Sequence, residues 1–339
     1  MTHPSAVPGS SPGDSPSGYV AVVGENVADA VVDDAADGRD PNGGPLRMRV
    51  FAGGGPANTA VALGRLGTST RLLCRMPRGV LGDLFSRRLA SASVDLSLTV
   101  PADEPATLAI TSVADGGAAR YEFHATATAD WQWRPDELDP RRLREAACVH
   151  AGSLGLVMEP GGPLVEELLE RVREHALVSI DPNVRAELVS PARYRARMDR
   201  WCRLADIIRL SEDDLAHLAP GSSPRSACDR WHEAGAPLVV ITRGGDGVFA
   251  SLRGVTIEVP SLPVTLVDTI GAGDAFSAGL LHWLDRTGRL GGRLAGLDVD
   301  GARRMLAFAS QVATLTCAVP GADPPHHADL TSAALDLLH

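Results

Sequence analysis

The chain contains no lysine: its 32 Lys-plus-Arg residues are all arginine, in a sequence of 339. That absence excludes mechanisms that need a side-chain amine, among them the Walker-A lysine, the protein-kinase strand lysine and every lysine Schiff base. Cysteine is sparse. Cys74, Cys148, Cys202, Cys228 and Cys317 are odd in number, widely spread and form no CxxC pair. This argues against a zinc ribbon or a disulfide framework and for a reducing compartment. No apolar run reaches the roughly 18–20 residues of a membrane span, and the N-terminus lacks a charged segment followed by an apolar core. No basic stripe offers a surface to nucleic acid, and the net charge is −10. The expectation is a soluble, cytoplasmic protein with neither nucleic acid nor membrane as partner.

What is present is enough to fold. The chain is 44% hydrophobic and 22% charged, which suits one large globular body. Residues 1–18, rich in Ser, Pro and Gly, are expected to be a disordered tail, leaving 19–339 as the folded domain. Short apolar runs recur at 19–24, 71–76, 147–153, 177–183, 205–211 and 238–244, with helical patterns between them, as at 163–174 and from Leu215 onward. Buried β-runs alternating with helices imply a mostly parallel sheet covered by helices on both faces, with ligands at the carboxyl ends of its strands. Two stretches break this rhythm. Residues 31–51 are polar and carry Asn42-Gly43-Gly44; residues 106–123 alternate and carry Asp115-Gly116-Gly117, a hairpin signal. They read as two surface loops or, since alternation with an Asp-Gly turn is the stronger hairpin cue, as a small β-lid over the sheet edge. There is no internal repeat.

The most informative segment is Val267-Asp-Thr-Ile-Gly-Ala-Gly-Asp-Ala-Phe-Ser-Ala-Gly-Leu-Leu281. An apolar stretch runs into Gly271-Ala272-Gly273 and then into a helix with Phe276, Leu280, Trp283 and Leu284 on one face. Unsatisfied N–H groups and the helix dipole make that N-terminus a site for a phosphate or for developing negative charge. Asp274 beside it either caps the helix or takes a proton from a hydroxyl attacking the phosphorus. In Gly53-Gly54-Gly55-Pro56-Ala57-Asn58-Thr59-Ala60-Val61, Asn58 either belongs to a tight helix entry or meets a polyol hydroxyl.

These two segments, GGGPANTA and DTIGAGDAFSAGLL, resemble the two signatures of the PfkB (ribokinase-like) carbohydrate kinase family, in the expected order and some 210 residues apart. The resemblance covers residues 19–325 and implies a ribokinase-like fold and an ATP-dependent kinase acting on a sugar hydroxyl. It implies Asp274 as base, with Gly271, Ala272 and Gly273 as anion hole. It assigns Asp29, Gly54, Gly55 and Asn58 to the sugar. Thr242, Gly244 and Gly247 resemble the nucleotide loop, and Asn183 is assigned to the cofactor with them. Asp268 and Thr269, completed by the loop at Gly321, resemble a potassium site. The family's NxxE motif, which orders magnesium-bound water, reads Ser211-Glu212-Asp213-Asp214, leaving Asp214 as its carboxylate. The usual GDDxFG run reads Gly82-Asp83-Leu84-Phe85-Ser86, a departure expected to matter for structure alone. ATP, Mg²⁺ and K⁺ are the implied cofactors.

The acceptor rests on Asp181-Pro182-Asn183-Val-Arg185, which resembles the DPNxR segment of fructokinases and 2-keto-3-deoxygluconate kinases. Arg185 grips a sugar or forms a structural ion pair. In the run 119–123, Tyr121 and Phe123 alternate with Glu122; the aromatics face the sugar or form a homodimer interface through the lid. D-Fructose leads as substrate, followed by 2-keto-3-deoxygluconate, then ribose or a nucleoside. A sugar-binding regulator on an inactive kinase fold is the reading of another class. The intact Asp274 and glycine run speak against it, and the missing GxGxxG speaks against a dinucleotide enzyme.

Overall fold

The computed structural model describes residues 18–32, 46–113, 119–290 and 292–339. Among these the strands are β1 (Tyr19–Val23), β2 (Val27–Val32), β3 (Met48–Gly53), β4 (Thr70–Leu73), β5 (Arg75–Pro77), β6 (Val100–Ala102), β7 (Thr107–Val113), β8 (Ala119–His124), β9 (Ala146–Gly152), β10 (Leu177–Asp181), β11 (Ile207–Ser211), β12 (Leu238–Thr242), β13 (Val248–Leu252) and β14 (Val255–Val259). The helices are α1 (Gly55–Leu66), α2 (Val80–Ser91), α3 (Gly161–Val172), α4 (Pro191–Leu204), α5 (Glu212–Leu218), α6 (Pro224–Glu233), α7 (Ala272–Arg286), α8 (Val299–Cys317) and α9 (Ser332–Asp336).

The main sheet runs β14-β13-β12-β11-β10-β9-β1-β4. Its strands are parallel from β4 to β12, and β13 and β14 fold back antiparallel at one edge. The near-continuous apolar character of these strands follows from burial on both faces. Within β1, Tyr19, Ala21 and Val23 pack into one core cluster and Val20 and Val22 into another. The first cluster lies under α3, α4 and α6; the second holds α1, α7 and α8. The expected α7 face is fully present, since Phe276, Leu280, Trp283 and Leu284 are all buried. Helix α1 starts with Pro56 in its first turn and ends on Gly67 at φ 91°, a left-handed conformation that glycine adopts at no steric cost.

A second sheet, ordered β3-β2-β7-β8, stands apart from the first. Its strands fall where the sequence breaks rhythm. The turns at Asn42–Gly44 and Asp115–Gly117, and residues 1–17 of the tail, lie outside the described residues. The register aligns Phe51 with Asp29, Asp29 with Ala109 and Ala109 with Phe123, so these positions form one row on one face of the sheet.

Two sequence expectations are corrected. The run 71–76 is not one strand: β5 leaves the main sheet to pair with β6, and its Arg75 is buried between Glu104 and Glu137. The helix expected from Leu215 starts earlier, at Glu212, because Ser211 and Asp214 form a capping box there. Among the described residues no helix is long and apolar enough to cross a membrane.

Candidate active site

The carboxyl ends of β9 and β10 and the N-termini of α1 and α7 converge on a cleft lined among others by Gly55, His150, Ser153, Asp181, Asn183 and Asp274. Asp274 lies in the first turn of α7 and is buried. Asn58 Nδ2 donates to its Oδ2 at 2.8 Å, joining two segments that are 216 residues apart. Burial raises the Asp274 carboxyl to about 6; the Asn58 hydrogen bond opposes that, and nearby Asp181 adds to it.

The glycines around Asp274 are there for room and for conformation. A side chain at Gly55 would meet Asn183 Nδ2 at 2.9 Å and Asp274 Oδ1 at 3.3 Å. Gly271, at φ 74°, caps α7 with no side-chain hydrogen bond. Of the three residues expected to form the anion hole, Ala272 is partly occupied, because its N–H donates to Thr269 O at 3.2 Å. The N–H groups of Gly273 and Asp274 lie in the first turn, where no intrahelical acceptor exists, and they carry the positive end of the helix dipole.

Arg209, on β11, is a site residue that the sequence reading missed. Its Nη1 donates to Asp181 Oδ2 at 2.9 Å and its Nη2 to Thr242 Oγ1 at 2.7 Å. The guanidinium lies so close to Gly273 that a side chain there would meet Nη1 at 2.6 Å. A buried cation at the positive end of a helix is unfavourable unless anions answer it. Asp181 answers one side. Asp181 Oδ1 is buried with no hydrogen-bond partner among the described residues, beside the cleft. His150 accompanies them; it shares a 3.0 Å hydrogen bond with Ser179, and burial lowers it to about 4, so it is neutral at pH 7.

The surroundings of Asp29 and Arg185 are more open. Asp29 sits on β2 with its carboxyl raised to about 6 by burial, an effect that Arg88 and Arg185 oppose. Arg185 itself is exposed, and its charge reaches Glu25, Asp29, Asp181 and Asp274. Glu25, also missed from the sequence, is buried, accepts from Gly155 N at 3.3 Å and is raised by burial to about 7. Phe123 is half-buried on the same lid face as Asp29, which is held beside Gly53. Gly54, at φ 102°, turns the chain from the lid into α1.

Asn183, at φ 40° after β10, lines the cleft with Gly55 and Asp274. Two expected placements come out differently. Asp214 is not free to face a metal: Oδ2 accepts from Ser211 N and Oγ, and Oδ1 from Val184 N at 2.7 Å. Its motif carboxylate works as a helix cap that ties down the turn after β10. Thr242 is held by Arg209, whereas Gly244, at φ 51°, sits on an exposed turn with open space above it. Asp268 and Gly321 do meet. Gly321 N donates to Asp268 Oδ2 at 2.8 Å and Ile270 N to Oδ1 at 3.0 Å, while Thr269 contributes its carbonyl to the Ala272 bond. Among the described residues no group of three or more His, Cys, Asp or Glu side chains forms a metal cluster.

Comparison with known proteins bears on this geometry. The pattern of the pfkB family carbohydrate kinases matches residues 17–329. A fructokinase of Klebsiella pneumoniae is 33% identical over 300 residues, covering 87% of this chain and 93% of that protein. A fructokinase of Rhizobium leguminosarum bv. trifolii is 33% identical over 267 residues, covering 78% of this chain and 81% of that protein. The crystal structure of the fructokinase of Xylella fastidiosa with bound ATP superposes with a TM-score of 0.82 at 24% identity, covering 94% of this chain and 98% of that one.

Proposed function

The chain belongs to the pfkB family of carbohydrate kinases and is an ATP-dependent sugar kinase, and we propose that its acceptor is D-fructose, phosphorylated at the 6-hydroxyl. The single observation that carries the chemistry is the buried Asp274 carboxyl at the uncapped, positive end of α7. A carboxylate held there by burial and by Asn58, with a proton affinity well above that of a free aspartate, is suited to take the proton of an attacking hydroxyl at neutral pH.

On this reading the Gly273 and Asp274 amides and the Arg209 guanidinium stabilise charge on the transferring phosphoryl group, since preorganised donors in a dry site need no reorganisation as charge develops. Gly55 keeps the floor between Asn183 and Asp274 clear so that the hydroxyl can approach. Asp29, Asn58 and Arg185 bind sugar hydroxyls, with Phe123 flanking them from the lid. The exposed turn at Gly244 takes the nucleotide phosphates, and Gly247, buried against the backbone of residues 259–261, lets the chain close that turn. Magnesium, when bound with ATP, neutralises the triphosphate. The buried Oδ1 of Asp181, without a hydrogen-bond partner among the described residues, is the carboxylate oxygen suited to hold it. Potassium belongs at the linked Asp268–Thr269 and Gly321 loops, whose cross-loop hydrogen bond sets the entry to α7. The apolar residues Met48, Val50 and Phe51 exposed along β3 support a homodimer through the lid.

The test is ADP release with Mg-ATP and K⁺ across fructose, 2-keto-3-deoxygluconate, ribose, glucose and adenosine. Turnover is expected on fructose above all others. Preferred turnover on 2-keto-3-deoxygluconate would transfer the acceptor assignment to that acid and give Arg185 a carboxylate to bind.

A further inference from the structure

The departure at residues 82–86 lies at the start of α2, and the last turn of that helix carries Arg88. This side chain is directed inward. Its Nη1 donates to Asn58 Oδ1 at 2.9 Å and its Nη2 to the carbonyl of Ala322 at 2.8 Å. Asn58 in turn donates to Asp274. An unbroken chain of hydrogen bonds therefore links the carbonyl of Ala322 in the 319–323 loop, through Arg88 and Asn58, to the carboxylate.

The direction of that chain is fixed by chemistry. A guanidinium can only donate, so the Asn58 oxygen must face Arg88 and its NH₂ must face Asp274. A flipped amide would set donor against donor at Arg88 and oxygen against carboxylate at Asp274. The second contact anchors the other side of the base. Ala322 packs directly against Gly271, the cap of α7, and the neighbouring Gly321 is tied to Asp268. Arg65 also grips this loop, through Asp323 and the Pro324 carbonyl, and has no hydrogen bond to Asn58.

We infer that Arg88 is a positioning residue for phosphoryl transfer: it orients the Asn58 amide toward Asp274 and latches the 319–323 loop to the acceptor end of the site. This rests on Asp274 acting as the base. It follows that the loop bearing Gly321 and the carboxylate are coupled through one side chain, so displacement of the loop unseats the amide that holds the base.

The charged groups acting on Asp274 are Asp181 on β10, Arg185 after it, Arg209 on β11 and Arg88 on α2. Arg88 favours the ionised carboxylate, so its removal moves the acid limb of the rate profile to higher pH. The experiment compares Arg88→Met, Arg88→Lys, Arg65→Met and Asp274→Asn, measuring kcat, fructose KM and the pH dependence of both, with thermal melts to confirm folding. Arg88→Met is expected to lower kcat about 10- to 100-fold, with a smaller change in KM, as for a misplaced catalytic group. Its acid limb is expected to rise by roughly half a pH unit. Arg88→Lys should restore the limb and part of kcat, because a point charge cannot span both acceptors. Arg65→Met, which loosens the same loop without touching Asn58, should keep the wild-type acid limb and lose less kcat than Arg88→Met. The inference is overturned if Arg88→Met keeps wild-type kcat and limb, if Arg65→Met reproduces its loss, or if both Arg88 variants lose the same activity at every pH. Asp274→Asn separates the two levels. Turnover in that variant refutes the base itself, whereas an inert Asp274→Asn beside a normal Arg88→Met refutes the positioning role alone.

Discussion

The N-terminus of α7 and the four-stranded sheet proposed as a lid are built in opposite ways. The α7 end is set in the core: Asp274, Ala275, Phe276 and Ser277 are buried, the helix packs on α1 and α8, and Arg209 and Asp181 brace it from the sheet. The lid is thin, and its edge strand β3 leaves Met48 41% and Phe51 50% exposed. Groups that must meet developing charge need fixed positions, which a close-packed interior supplies and a half-exposed ribbon does not. A sheet with little buried area opens at low cost and can move to admit a sugar and then exclude water. The comparison assigns rate to the core end and acceptor affinity to the lid.

Substitutions at the core end should break this division most strongly. Arg209→Met is expected to cost about 10²–10³ in kcat, the range for losing one preorganised electrostatic group, and to lower the melting midpoint because buried Asp181 loses its ion pair. Steady-state ADP release and a thermal melt read both. Gly55→Ala places a methyl between Asn183 and Asp274 and should lower kcat on the order of 10²-fold with little change in nucleotide affinity. Equal kcat would mean that this floor is not part of the acceptor path. With the base raised to about 6, kcat/KM should be steady above pH 7 and fall about tenfold per pH unit well below 6, as the carboxylate becomes protonated. A limb centred near the ordinary aspartate value would deny that burial tunes the base. At the lid, Phe123→Ala should raise fructose KM about tenfold, near the upper end for loss of a large apolar contact, and leave kcat nearly intact. A loss confined to kcat would erase the distinction between the two ends.

The fold and the reacting end were legible where the information is contiguous. Glycines, an aspartate and a helical face stand together in residues 267–281, so the start of α7 and the place of Asp274 in its first turn could be read directly. The strands β7 and β8 of the second sheet lie in the alternating stretch 106–123, where an extended reading was available from the sequence. Arg209, Glu25 and Arg88 could not be read in that way, since each is given its role by a partner brought close through the parallel sheet or helix packing. Arg209 meets Asp181 from 28 residues away, and Arg88 meets Ala322 from 234 away. One signal for Arg209 did exist: an arginine within the otherwise apolar run Ile207-Ile208-Arg209-Leu210 has to find an anion. Asp214 shows the reverse case. A carboxylate three residues after a serine suits both a metal motif and a capping box, and the backbone donors of Ser211 and Val184 take both of its oxygens.

The central claim is tested most directly by Asp274→Asn, which keeps the shape of the side chain and removes its basicity. Fructose and nucleotide binding by calorimetry should persist, while ADP formation with Mg-ATP falls by about 10³-fold or more, beyond what loss of a hydrogen bond alone would cause. Near-normal turnover in a folded, sugar-binding Asp274→Asn protein would contradict the account.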